Sequence, residues 1–209
     1  MKSKLKNFSE NRLTKAQLLT LIKSDLKESG VKLVLKKNMP GMSGYFDHIN
    51  KELVYINNKE GTGTLIHEYC HFLQWRSNSP IYDSYMPEVN NFAEAVIESL
   101  KNGKRYKKRI INEALTITLD CEVDCEKLAI NLIEKYKIRI NLDFYTRIAN
   151  SVLVSYLIDT EHAPEQALGK IYDIRNVELV RMMPNKLMNT KSVKSFYRIH
   201  KAFVLSFLK

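Results

Sequence analysis

"TLIHEYCHFLQW", residues 64–75, places two histidines four apart with a glutamate directly after the first: His67-Glu68-x-x-His71. Such a spacing arises by chance in on the order of one chain of this size per hundred, so the surroundings decide its meaning. Leu65, Ile66, Tyr69, Cys70, Phe72, Leu73 and Trp75 wrap the motif on nearly every side of a helix. A helix that is apolar all round is a buried one. Two imidazoles and a carboxylate buried without partners would cost several kcal/mol, so something must compensate them. Core histidines bonded to backbone or carboxylates are one solution. A divalent cation is the other, and it is favoured: residues i and i+4 share a helix face, so one ion satisfies both rings. The neighbouring carboxylate, Glu68, can then hold a water bound to that ion.

A catalytic zinc takes three protein ligands and keeps one open position. Two glutamate pairs compete for the third place. Between about 106 and 137, Leu115, Leu119, Glu122, Glu126, Ala129 and Ile133 fall in one stripe at helical spacings of three and four, so two carboxylates lie within an apolar face. Asp120 and Asp124 project from the opposite side and read as solvated. In "EAVIE" the rivals Glu94 and Glu98 lie off the stripe made by Phe92, Val96 and Leu100. The pattern favours Glu122 over Glu94.

Outward from the motif, the chain divides into a mixed first part and a helical second part. Thr14 and Gln17 form a T-x-x-Q capping box, and Leu18, Ile22 and Leu26 follow at helical spacing until Gly30. "VKLVLK" (31–36), "SGYFD" (43–47) and "KELVYI" (51–56) read as strands, the last two as a hairpin about "HIN". The motif helix follows from about 62. "RSNSPIYDSYMP" reads as a loop, and helices are expected near 88–101, 106–137, 143–158 and 190–207, with Gly103, Pro164, Gly169 and Pro184 between them. The order implies an α+β fold in a single domain over 1–209, with a core over 12–137 and a helical part over 138–209.

Composition bounds the partners. The 209 residues can bury roughly 70% of the unfolded surface, so a metal would serve function more than folding. The net charge of +10 permits a nucleic-acid partner, and much of the excess sits in "KNGKRYKKR" (101–109). No aromatic ladder or nucleic-acid module accompanies it, so a solvated loop between helices is preferred. Cys70, Cys121 and Cys125 make no even framework and no CxxC pair, which points to free thiols in a reducing compartment. Cys70 and Cys125 stand beside the ligand positions but read as small buried hydrophobes rather than thiolate ligands. The basic N-terminal stretch lacks the apolar core of a signal peptide, and no run is long enough to span a membrane. A cytoplasmic protein is expected.

"HEYCH" followed downstream by "EVDCEKLA" resembles the gluzincin metallopeptidases, over about residues 31–137. Together with "IANSVLVSYL", these phrases also look like small zincins of tailed phages, which would place the protein in a host cytoplasm. The resemblance implies a zincin-like fold with a small mixed sheet, an edge strand packed on the HExxH helix and Zn2+ held by His67, His71 and Glu122. Glu126 would accept a hydrogen bond from a ligand histidine. Tyr69 and Cys70 inside the motif, and Glu126 in place of Asp, depart from the family's usual residues. Such an enzyme hydrolyses a peptide or protein substrate with Glu68 as general base. It usually adds a Tyr, His or Arg donor for the oxyanion. Tyr156 is the candidate, with Tyr145 and His162 behind it. Asn150, on the same helix, would cap or orient something nearby. "KELVYI" is expected to be the exposed edge to which an extended peptide adds, and His48, in the turn before it, a surface residue. The alternatives are a basic nucleic-acid-associated protein on an inactive zincin scaffold, and a zinc hydrolase of non-peptide amides.

Overall fold

The structure, a computed structural model, describes residues 12–39, 43–56, 61–85, 92–162 and 177–206. The N-terminal stretch to residue 11, the start of the helix expected from 88, and Pro164 and Gly169 lie outside these residues. The chain forms two compact units. The first comprises Met1–Ser79 with Cys125–Leu142, and the second Pro80–Asp124 with Asp143–Lys209. The expected α+β class is present: a three-stranded mixed sheet, with helices making up most of the rest.

In the first unit, α1 (Lys15–Glu28) opens on the reciprocal Thr14–Gln17 capping box. It ends where Gly30 turns to φ 71°, with Gly30 N–H on the Lys27 carbonyl and Val31 N–H on that of Leu26. That pairing closes the last helical carbonyls and delivers the chain into the sheet. β1 (Lys32–Lys36) runs parallel to β3 (Glu52–Ile56), and β2 (Gly44–Asp47) runs antiparallel to it, in the order β1-β3-β2. "KELVYI" is therefore the central strand, not the edge expected from the sequence. Leu53, Val54 and Tyr55 are buried in succession, whereas β1 leaves Leu35 58% exposed and β2 buries only Phe46. A continuous apolar run suits a strand covered on both faces, and the true edges are β1 and β2.

The motif helix α2 (Gly61–Arg76) packs on β2 and β3. Phe46 meets Phe72 edge-on at 5.8 Å and Trp75 at 5.7 Å. Asp25 of α1 accepts from the Tyr69 hydroxyl and from Arg76, tying α1 to the same helix. The C-terminal turns of α5 (Lys108–Lys135) complete this unit, burying Ala129 and Ile133, with Tyr136 buried just after the helix.

The second unit contains helices and connecting segments, and no strand, among its described residues. α3 (Pro80–Tyr85) lies inside "RSNSPIYDSYMP", where a loop was expected. Proline suits the first position of a helix, which is where Pro80 stands. α4 (Phe92–Lys101) packs on the start of α5 through Ala93, Val96, Ile97, Leu100 and Ala114. α6 (Leu142–Glu161), α7 (Val177–Met182) and α8 (Thr190–Ser206) enclose a second core with Leu115, Leu119 and Val123 of α5. The segment Asn102–Lys107 between α4 and α5 is exposed, apart from half-buried Tyr106. Asn150 is fully buried and holds the 184–188 segment. Its amide donates to the carbonyls of Pro184 (2.9 Å) and Lys186 (3.0 Å) and accepts from Met188 N–H (2.9 Å). No helix among the described residues is long and apolar enough to cross a membrane.

Candidate metal centre

Burial along α2 follows from its composition: Leu65, Ile66, Cys70 and Phe72 are almost wholly buried. Glu68 and His71 are carried inward with them, at 7% and 8% exposure, and the His67 side chain is 20% exposed. One helical turn apart, the His67 and His71 rings stand perpendicular with centroids 4.7 Å apart. The structure thus brings the two motif histidines together on one face, as i, i+4 spacing requires.

Each ring has an oxygen opposite its Nδ1. For His67 it is Glu126 Oε1 at 3.0 Å, from the C-terminal half of α5. For His71 it is Gln74 Oε1 at 2.9 Å, from the same helix. A carboxylate accepts hydrogen bonds, so Glu126 draws the His67 proton to Nδ1 and leaves the lone pair at Nε2. The Cys125 thiol flanks this contact, donating to the His67 carbonyl at 3.3 Å with its sulfur 3.7 Å from Nδ1. Ligand atoms of His67, His71 and Cys125 all lie within 4.8 Å of one another, a group that could hold a metal ion. Two nitrogens and a soft sulfur suit zinc or another late divalent metal better than a hard cation. Cys125 stands on the Nδ1 side of His67, beside Glu126, so ligation by its sulfur competes with the Glu126 bond.

Glu68 is backed by the sheet. A Cβ at Gly44 of β2 would lie 2.9 Å from Glu68 Cγ, 2.7 Å from Thr64 Cγ2 and 2.9 Å from the Val54 carbonyl. Only a glycine lets the edge strand come this close to the helix.

The second unit holds the remaining candidates. Glu122 is 4% exposed and accepts from the Tyr156 hydroxyl at 3.0 Å, so these two are brought together. Burial pushes the Tyr85 phenol well above its ordinary value, and the nearby charge of Glu122 adds to this. Burial does the same to the Cys121 thiol, again with Glu122 contributing. Glu94 and Glu98, the rival pair, are exposed on α4. Tyr145 is buried in α6, His162 follows that helix, and His48 is half-buried in the β2–β3 turn. All three cysteines are buried thiols outside any disulfide.

Gln74 and Gly44 were missed by sequence reasoning. Gln74 was visible as a polar residue at i+3 from His71 on a helix otherwise buried. Gly44 carried only the weak signal of a glycine inside a strand. Against known proteins, the chain matches no family model, no curated protein and no solved structure.

Proposed function

We propose that the chain is a zinc-dependent metallopeptidase of gluzincin type. The carrying observation is the 3.0 Å contact between Glu126 and His67 Nδ1 within an HExxH helix. A carboxylate behind a ligand imidazole fixes its tautomer and raises its basicity, the arrangement that metal-binding histidines use. His67 and His71 would hold the ion. A third ligand would still be needed, and the sequence pattern, not a contact, selects Glu122, one helical turn before Glu126, for that role. Tyr156 donates its one hydroxyl proton to Glu122 and so orients that carboxylate, and it would have to turn that proton away from Glu122 to serve the oxyanion.

Bound zinc would supply a water of lowered pKa and polarise the scissile carbonyl. Glu68 takes the proton of the attacking water and returns it to the leaving amine. Glu68 sits on the motif helix directly after His67 and is buried at 7% exposure, which keeps bulk water from the carboxylate. A peptide in extended form is the substrate class that fits the sheet. β2 is an edge strand, and its Gly44 lies against Glu68, so a strand added along β2 passes the catalytic carboxylate.

Glu68→Gln tests the mechanism, since the amide keeps size and hydrogen bonding but takes no proton. Zinc-loaded wild type should cleave members of a broad fluorogenic peptide library. The variant should bind zinc equally and lose at least roughly a hundredfold in turnover. Equal turnover, or no cleavage by the wild type, contradicts the proposal.

A further inference from the structure

We infer that Gln74 is a positioning residue for His71, fixing its Nδ1–H tautomer and so presenting Nε2 to a metal. The inference rests on the proposed metal site for its purpose, though not for its geometry. Gln74 is 1% exposed and His71 8%, so water competes little for their contact. The amide oxygen, which only accepts, is the atom at 2.9 Å from His71 Nδ1. Nδ1 therefore carries the proton and the lone pair lies at Nε2, as Glu126 arranges for His67.

Gln74 is itself held in place by the way α2 ends. Its carbonyl accepts from Ser79 N–H at 3.0 Å and from Ser77 Oγ at 3.1 Å, and Asn78 takes φ 52° to close the turn. The last turn of the helix is thereby locked, which fixes the backbone from which the Gln74 amide reaches the second histidine. The two histidines are supported unequally: Glu126 brings a negative charge to His67, and Gln74 brings a neutral dipole to His71. Replacing Gln74 by Glu should therefore preserve the tautomer and add charge that favours a bound cation. Replacing it by Leu keeps most of the volume and removes the acceptor.

Nitrogen-15 NMR of the histidine side chains in metal-free protein reads the tautomer directly, without activity. Wild type and Gln74→Glu should show His71 with its proton on Nδ1, and Gln74→Leu a mixture of both forms. Competition with a zinc chelator should then give a dissociation constant for Gln74→Leu about 10- to 100-fold weaker than wild type. Gln74→Glu should bind at least as tightly as wild type, which separates a lost acceptor from a disturbed fold. A wild-type His71 protonated on Nε2, or a Gln74→Leu variant that binds zinc as wild type does, would overturn the inference. A wild type with the Nδ1–H tautomer and no zinc affinity would instead refute the metallopeptidase proposal while leaving the Gln74 contact standing.

Discussion

Gly44→Ala places a methyl group where β2 crosses the motif helix. The new carbon would sit 2.7 Å from Thr64 Cγ2 and 2.9 Å from both Glu68 Cγ and the Val54 carbonyl oxygen. Comfortable carbon contacts begin near 3.5 Å, so strand and helix must separate by roughly 0.8 Å at the worst point. Overpacking of this kind costs about 1–3 kcal/mol. The lower backbone entropy of alanine in the unfolded chain offsets about 0.5–1 kcal/mol of that. The net loss is about 0–2.5 kcal/mol, or up to roughly 10 °C in Tm for a chain of this size. Thermal unfolding followed by circular dichroism at fixed zinc concentration measures it. Thr64→Ser removes the nearest methyl and should recover part of the loss in the double variant. Because Glu68 is displaced as well, hydrolysis should fall more than stability does, by up to on the order of a hundredfold. A Gly44→Ala protein as stable and as active as wild type would show that β2 does not set the position of Glu68.

Two further outcomes concern the second unit. Asn150→Ala removes three hydrogen bonds from a fully buried amide to the 184–188 backbone, and should destabilise by about 3 kcal/mol or more in denaturant unfolding; a loss under about 1 kcal/mol would mean water replaces the amide. Burial pushes the Glu161 carboxyl up, but the bonds from Lys201 and Tyr197 outweigh it and hold the group below its ordinary value. Its contribution is therefore present above the unfolded value near 4.3 and is lost as pH falls through the lower folded value. The Tm difference between wild type and Glu161→Gln should shrink from pH 7 to pH 3, and a difference independent of pH would refute the pairing.

Local signals carried the reading furthest. Thr14 with Gln17, and Gly30 sixteen residues after the cap, bounded α1 because capping chemistry is contained in a few neighbouring residues. The stripe through Leu115, Leu119, Glu122 and Glu126 told a buried pair of carboxylates from the exposed Glu94 and Glu98, since helical phase alone decides that. Strand order did not yield to the same method. β3 pairs with β1 across about twenty residues, and which strand ends at an edge depends on that non-local pairing. Short helices were lost too: α3 and α7, at six residues each, span less than two turns and show little periodicity. Within the site, the shared face of the motif histidines and the burial of Glu126 were legible from spacing and its contact with a histidine from the gluzincin resemblance, whereas Gly44 acts through a close approach that only the packed sheet creates.

Metal content is the most direct test of the central claim, that His67 and His71 form a zinc site completed from α5. Protein loaded with zinc, freed of excess and analysed by mass spectrometry should carry about one ion per chain. The His67→Ala/His71→Ala double variant should carry none. Glu122→Ala should weaken binding more than Glu94→Ala or Cys125→Ala. Stoichiometric zinc in the double variant, or a metal-free wild type, would contradict the account.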